Sequence, residues 1–173
     1  MELEDSRSGL YSLSILVRIR SSNFRFWLVN VYGPANHEFS EDFIRDISGI
    51  CEGEPLAILL GGDFNLIRSD SDKNTGHGDP KLMELFNNFI GNCLLREIFV
   101  SGMRFTWSNK QKIPTLIKLD RILVTVEWEL QYVKCFAWAK ARLGSDHCPL
   151  VLDFGEHGAV RPNYFFFQEQ WLQ

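Results

Sequence analysis

A short run of apolar residues, Leu56–Leu60 with the sequence LAILL, restricts the possible folds of this chain more than any other feature. An apolar run without alternation is typical of a strand that is buried on both faces. Gly53 and Pro55 precede the run and Gly61 and Gly62 follow it, so residues that interrupt regular structure define both ends. The run therefore predicts a central β-strand in a fold that covers both faces of a sheet.

The remaining elements fit around this strand. Apolar residues alternate in 11–19 and 24–32, which predicts two strands joined by a turn. Apolar residues at helical spacing between positions 43 and 51 and between 82 and 93 predict two amphipathic helices. The second is expected to have Asp79 as its N-cap and Pro80 at its first position. Shorter strands are predicted in 94–100, 105–108, 117–124, 133–138 and 149–154, with a brief helix in 126–131.

The order of these elements predicts an α/β (α+β) architecture, a two-sheet β-sandwich flanked by helices. A length of 173 residues fits one domain. We divide the chain into an N-terminal lead (1–9), the domain itself (10–155) and a C-terminal tail (156–173). In the lead, Glu2 and Glu4 lie in an acidic stretch that we expect outside the strands.

Charge and cysteine content bear on compartment and partners. The formal net charge is −4, but residues 101–145 carry eight Lys or Arg against three Asp or Glu, so a basic segment could face a polyanion or be ordinary surface charge. The four cysteines have no metal-binding spacing and are expected to be free thiols. The acidic start resembles no secretory signal, and LAILL is too short to span a bilayer. We expect a nuclear or cytoplasmic protein without a membrane partner.

A carboxylate and a carboxamide follow the apolar run directly, at Asp63 and Asn65 in the sequence GGDFN. In an extended chain, residues two apart project from the same side, and α/β proteins bind ligands beyond the carboxyl ends of buried strands. The preceding glycines would let a ligand approach the backbone. The same residues also fit an Asx-turn, in which Asp63 and Asn65 only cap the loop.

Further polar side chains are suited to phosphate chemistry. Asp146 offers oxygen ligands for Mg²⁺, and His147 beside it is a candidate general acid or base. Asp120 interrupts an apolar segment, so it either pairs with Arg121 or orients His147. Tyr32 ends a strand, where it either donates to a phosphate oxygen or lies at the edge of the core. The set contains no candidate Ser or Cys nucleophile, which favours metal-assisted hydrolysis of a phosphate ester by water.

Five motifs in order carry a resemblance to a known superfamily: Asn30–Pro34 (NVYGP), Gly62–Asn65 (GDFN), Phe105–Asn109 (FTWSN), Leu119–Arg121 (LDR) and Ser145–Leu150 (SDHCPL). They resemble the endonuclease/exonuclease/phosphatase superfamily, with the DNase I-like fold, over about residues 10–155. TWSN and the tail segment Asn163–Leu172 resemble, more narrowly, the endonuclease domain of plant LINE-type (non-LTR) retrotransposons. The tail resembles the start of the link to a reverse transcriptase.

The resemblance implies a role for each matching residue. Asp63 would position and activate the attacking water, and Asn65 would support the transition state. His147 would contact the scissile phosphate and stabilise its developing charge. Asp120 would hold His147 in orientation, and Tyr32 would hydrogen-bond the phosphate.

The resemblance also implies a metal, Mg²⁺ or Mn²⁺, with Asp146 and Asp63 as ligands. The family pattern begins with a strand bearing an Asn and a strand bearing the main metal-binding Glu, and both precede the first hairpin of this chain. We do not assign Glu2 or Glu4 to that role. We therefore expect a domain that lacks its first strands, with weakened metal binding.

The resemblance implies a Mg²⁺-dependent phosphodiester hydrolase, a DNA endonuclease domain of retroelement origin. Thr106 and Trp107 would shape the site, and the basic segment 101–145 would lie along a DNA backbone, with Arg121 as its most structural member. No obligate protein partner is evident. Two alternatives stay open: a non-catalytic truncated remnant of such a domain, and a phosphatase or phosphodiesterase for lipid or inositol phosphates.

Overall fold

The computed structural model describes residues 1–155. Its strands are β1 (Glu2–Ser8), β2 (Ser12–Arg18), β3 (Arg25–Tyr32), β4 (Ala57–Asp63), β5 (Arg96–Glu97), β6 (Val100–Ser101), β7 (Trp107–Ser108), β8 (Leu116–Ile117), β9 (Asp120–Val124), β10 (Phe136–Ala139) and β11 (Leu150–Asp153). Its α-helices are α1 (Ser40–Cys51), α2 (Pro80–Asn92) and α3 (Val126–Gln131), and short 3₁₀ turns occur at His37–Phe39 and Asp70–Asp72. The tail predicted for 156–173 lies outside the described residues.

The strands form a six-stranded sheet in the order β1-β2-β3-β4-β9-β5, a three-stranded sheet β11-β10-β6 and a two-stranded sheet β7-β8. The LAILL strand, β4, lies in the interior of the largest sheet, parallel to β3 and antiparallel to β9. Ile58 and Leu60 are buried in one core, and Ala57 and Leu59 in the other. The prediction of a central strand buried on both faces is confirmed, because each face of β4 has its own apolar layer.

Two cores cover the two faces of this sheet. On one side, Phe43 and Ile47 of α1 and Phe86 of α2 pack against the sheet. On the other side, Trp128 of α3 and Ala137 of β10 pack against it. The predicted two-sheet sandwich flanked by helices is therefore confirmed. Asp79 accepts a hydrogen bond from the Lys81 N–H at the start of α2, as an N-cap should.

The prediction that Glu2 and Glu4 lie outside the strands is wrong, because both belong to β1, which pairs antiparallel with β2. Alternating apolar residues could not reveal this strand, since nearly all of it is exposed. Instead of apolar contacts, ion pairs connect β1 to its neighbours. Glu4 lies 2.9 Å from Arg18 and 2.6 Å from Arg25. Glu2 pairs with Arg18 and lies 2.8 Å from Arg20.

A buried ion network anchors β9. The guanidinium of Arg121, only 1% exposed, donates to Glu97 (2.6 Å) and to Asp72 (2.6 Å). Lys118 and Arg68 also donate to Glu97, at 2.5 and 2.8 Å. Burial acts to raise the pKa of Glu97, but Arg121 and the other cations outweigh it and lower the pKa to about 2. The pairing of Asp120 with Arg121 is thereby excluded, because Arg121 is committed elsewhere.

All four cysteines, Cys51, Cys93, Cys135 and Cys148, are free thiols, as predicted. Within residues 1–155, no helix combines the length and the apolar character that crossing a membrane requires.

Candidate active site

Asp63 is the last residue of β4, and a tight contact between β4 and β3 sets its position. Gly62 has φ of +145°, and a Cβ there would lie 2.1 Å from the Val31 carbonyl oxygen. Directly beyond β3, the N–H of Gly33 donates to the Asp63 carbonyl oxygen at 2.7 Å. Only glycine fits this conformation and this approach, so Gly62 fixes where the Asp63 carboxylate leaves the sheet.

The side chains of Asp63 and Asn65 are hydrogen-bonded to each other. The N–H of Asn65 donates to Asp63 Oδ1 (2.9 Å), and Asn65 Nδ2 donates to Asp63 Oδ2 (3.0 Å) and to the Gly33 carbonyl oxygen (2.8 Å). The Asx-turn is therefore present. Burial raises the pKa of Asp63, with a further rise from Asp120, while the hydrogen bonds from Asn65 oppose it. The turn orients the carboxylate without removing it from the site.

His147 connects two of the predicted site residues. Its Nδ1 lies 2.9 Å from Asp120 Oδ2, and its Nε2 lies 3.8 Å from Asp63 Oδ2. Of the two partners that the sequence left open for Asp120, the hydrogen-bonded one is His147. Because Asp63 and Asp120 are register partners at the ends of β4 and β9, the sheet itself spaces the two carboxylates on either side of the imidazole.

Thr106 contributes to the site in a way that the sequence did not indicate. This buried residue accepts the N–H groups of Leu119 (3.0 Å) and Asp120 (2.9 Å) on its Oγ1. Its carbonyl oxygen also accepts the N–H of Cys148 at 2.7 Å. One residue thus ties the Asp120 backbone to the loop that carries His147. The sequence resemblance assigned Thr106 to the shape of the site, but it gave no sign of these hydrogen bonds.

We expect Thr106→Val to reduce the free energy of unfolding by about 1–3 kcal/mol, because two buried N–H groups lose their acceptor. Urea denaturation measures the loss, with Thr75→Val, at an exposed position, as the matched control. A Thr106→Val protein as stable as its control would contradict the bridging role of the hydroxyl.

Asp146 and Tyr32 lie at the margin of this arrangement. The Asp146 carboxylate is exposed and accepts a hydrogen bond from Trp107 Nε1 at 2.9 Å, which lowers the pKa of Asp146. Tyr32 is the register partner of Asp63 at the end of β3, and 67% of it is exposed. Its backbone is therefore beside the site, but its side chain is outside the hydrogen-bonded group around His147.

A cleft of about 510 Å³ opens beside the imidazole. Asn30, Asp120, Ser145 and His147 contribute its polar wall. Its apolar wall includes Leu28, Leu59, Ile122, Leu150 and Leu152. A cleft of this size with convergent polar groups at one end is the usual form of a ligand site.

The carboxylates of the site do not assemble a metal site. Among residues 1–155, no group of three or more His, Cys, Asp or Glu side chains could hold a metal ion. Asp63 is hydrogen-bonded to Asn65, Asp120 to His147, and Asp146 faces Trp107. The described residues therefore form no three-ligand protein site, and the ion that the sequence resemblance implies would be held by one or two of these carboxylates together with water and a substrate phosphate.

The predicted basic segment divides into two groups. Lys118 and Arg121 belong to the buried network around Glu97. Lys110 donates to the Gly144 carbonyl oxygen at 3.0 Å, which places its ammonium group at the loop that precedes His147. Further cationic side chains of the segment, among them Lys112 and Lys140, are exposed.

Comparisons with known proteins address the fold. The endonuclease domain of TRAS1, a telomere-specific non-LTR retrotransposon, aligns with a TM-score of 0.62 at 15% identity over 83% of this chain and 63% of that one. An AP endonuclease from Archaeoglobus fulgidus aligns with a TM-score of 0.65 at 17% identity, over 88% and 71%. The AP endonuclease LMAP from Leishmania major aligns with a TM-score of 0.62 at 18% identity, over 81% and 53%.

The chain thus spans less than two thirds of the TRAS1 domain. No protein-family model and no curated protein matches its sequence. The similarity to the solved structures is one of fold, and it agrees with the ordered motifs around Asp63, Asp120 and His147. The chain has the DNase I-like fold.

Proposed function

We propose that this chain is the catalytic part of a phosphodiester hydrolase that cuts DNA, a retroelement-type endonuclease domain. The arrangement Asp63–His147–Asp120 carries the proposal. It places an imidazole 3.8 Å from a carboxylate of raised pKa and 2.9 Å from a second carboxylate that orients it. A base, a charge-stabilising group and its orienting partner are the groups that hydrolysis of a phosphate ester by water requires.

In the proposed reaction, Asp63 accepts a proton from the attacking water while the water oxygen bonds to phosphorus and a P–O ester bond breaks. Burial suits Asp63 to this step, because a carboxylate with a raised pKa is a stronger base than an exposed one. Asn65 fixes the carboxylate through two hydrogen bonds, so that one orientation is held before substrate arrives.

His147 stabilises the charge that develops on the phosphate. In its protonated form it donates from Nε2 to a phosphoryl oxygen, while Asp120 accepts from Nδ1 and stabilises the imidazolium. Tyr32, exposed at the neighbouring strand end, would donate a hydrogen bond to another phosphate oxygen, as the sequence resemblance implies.

A dependence on Mg²⁺ or Mn²⁺, with Asp63 and Asp146 as ligands, stays a prediction from the sequence resemblance. The ion would supply Lewis-acid polarisation of the phosphate. Since the described carboxylates form no three-ligand group, the steps above use only the side chains of this chain.

DNA is the proposed substrate. Lys110 contacts the loop before His147, and Lys112 and Lys140 are exposed cations of the same basic segment, so the phosphates of a bound strand would pass along this side of the molecule. The similar structures include a retrotransposon endonuclease domain and two AP endonucleases, which supports a nucleic-acid substrate. An origin in a LINE-type element, joined to a reverse transcriptase, rests on the sequence motifs.

A second candidate function is that of a non-catalytic remnant of such a domain. One observation favours it: residues 1–155 hold no group of three metal ligands. Such a protein would keep the fold and the Asp120–His147 pair without cleaving any substrate.

We expect the purified chain to nick supercoiled plasmid in the presence of Mg²⁺ or Mn²⁺ and to lose this activity in EDTA. His147→Ala should remove it, whereas His77→Ala, at a mostly exposed surface pair with Asp70, should not. Duplexes with an abasic site and an inositol phosphate are assayed in parallel. No turnover of any substrate would identify the remnant, and turnover of the inositol phosphate alone would identify a phosphatase.

A further inference from the structure

The three residues Thr106–Ser108 contact both segments that carry proposed catalytic residues, the one with Asp120 and the one with His147. On one side, β7 pairs with β8, with Trp107 opposite Ile117. On the other side, the N–H of Ser108 donates to the Asp146 carbonyl oxygen at 3.0 Å. The backbones of Trp107 and His147 form an isolated antiparallel β-bridge. The segment therefore lies between the chain that leads to Asp120 and the loop that carries His147.

These backbone contacts fix the position of the main chain at Asp146 and His147, but they do not restrain the side chain of Asp146. Asp146 is exposed, and its carboxylate would otherwise be free to rotate in water. The indole N–H of Trp107 holds it, with 2.9 Å between Trp107 Nε1 and Asp146 Oδ2. Asp146, the residue before His147, thus accepts two hydrogen bonds: its carbonyl oxygen accepts the N–H of Ser108, and its carboxylate accepts the indole N–H of Trp107.

We propose that Trp107 is a positioning residue of the hydrolase described above, whose indole N–H fixes Asp146 and thereby the orientation of the His147 ring. This inference rests on the proposed function. The requirement for positioning is tight, because the Nδ1 of His147 must stay within hydrogen-bond distance of Asp120, at 2.9 Å, while Nε2 faces Asp63. Displacements of about 1 Å at reacting groups cost enzymes large factors in rate.

A role in packing alone makes a different prediction from a role in positioning. Packing depends on the apolar area of the ring, which Trp107→Phe largely keeps. Positioning depends on the N–H group, which phenylalanine lacks. Asp146→Asn keeps a side-chain oxygen that can accept from the indole, while Asp146→Ala removes the acceptor.

We expect Trp107→Phe to lower kcat about tenfold with KM within about twofold, as for a group that acts in the transition state. Asp146→Ala should cause a similar loss, and the double variant should lose no more than either single one, because both remove the same bond. Trp138→Phe, on β10 in a stack with Phe136, is the matched control and should leave kcat unchanged.

Nuclear magnetic resonance of the isotope-labelled chain supplies a readout that needs no activity. The indole N–H signal of Trp107 should move upfield in Asp146→Ala and stay near its place in Asp146→Asn, and the ring signals of His147 should shift in Trp107→Phe. Unmoved His147 signals or an unchanged kcat in Trp107→Phe would overturn the proposal. An inactive wild-type chain with the expected shifts would contradict the proposed function and not the positioning.

Discussion

Replacing Asp63 with asparagine should lower the rate of DNA cleavage about 10³-fold. General-base catalysis typically contributes 10²–10⁴-fold, and asparagine cannot accept the proton of the attacking water. Its Oδ1 can still accept the N–H of Asn65, so the turn beyond β4 should be retained. Single-turnover rates on supercoiled plasmid measure the loss.

The matched control for this substitution is Asp79→Asn. Asp79 caps α2 through the N–H of Lys81, and asparagine caps helices equally well, so cleavage should be unchanged. An Asp63→Asn protein that is folded and retains more than about a tenth of the wild-type rate would remove Asp63 from the role of base.

Replacing Arg121 with alanine should reduce the free energy of unfolding by about 3–5 kcal/mol, because Glu97 and Asp72 would remain buried without their main cation. Such a loss is a large part of the 5–15 kcal/mol that is typical of a domain. Urea denaturation followed by tryptophan fluorescence measures it.

Arg45→Ala is the control for charge removal, since its pair with Asp42 is exposed and should contribute less than about 1 kcal/mol. The double variant Arg121→Ala, Glu97→Gln should recover part of the loss, because one of the unpaired carboxylates is gone. If Arg121→Ala costs no more than Arg45→Ala, the network around Glu97 does not stabilise β9.

The central part of the fold could be predicted because its signals are local. The run LAILL needs no knowledge of distant residues to indicate a strand covered on both faces, and Asp79 with Pro80 marks the start of α2 within two positions. The strand β1 could not be predicted in this way. It contacts Arg18 of β2 and Arg25 of β3 through Glu4, and a search for apolar alternation ignores such ion pairs.

In the candidate site, too, only the features with local sequence signals could be predicted. Asp63 and Asn65 could be identified because they directly follow the central strand. The partner of Asp120 could not be decided, because Arg121 is adjacent in sequence whereas His147 is 27 positions away and is brought near only by the fold. The bond between Trp107 and Asp146 spans 39 positions, and neither residue carries a local sign of the other.

The edge strand β1 contacts its neighbours through ion pairs, so its stability should respond to conditions differently from that of the apolar core. Exposed ion pairs weaken as salt screens them, whereas the apolar layers around β4 do not depend on ionic strength in this way. Amide hydrogens of Glu2–Ser8 belong to a strand that buries almost no apolar surface, so they exchange through local opening at a small free energy. We therefore expect the N-terminal strand to open separately from the strands that carry Asp63 and Asp120.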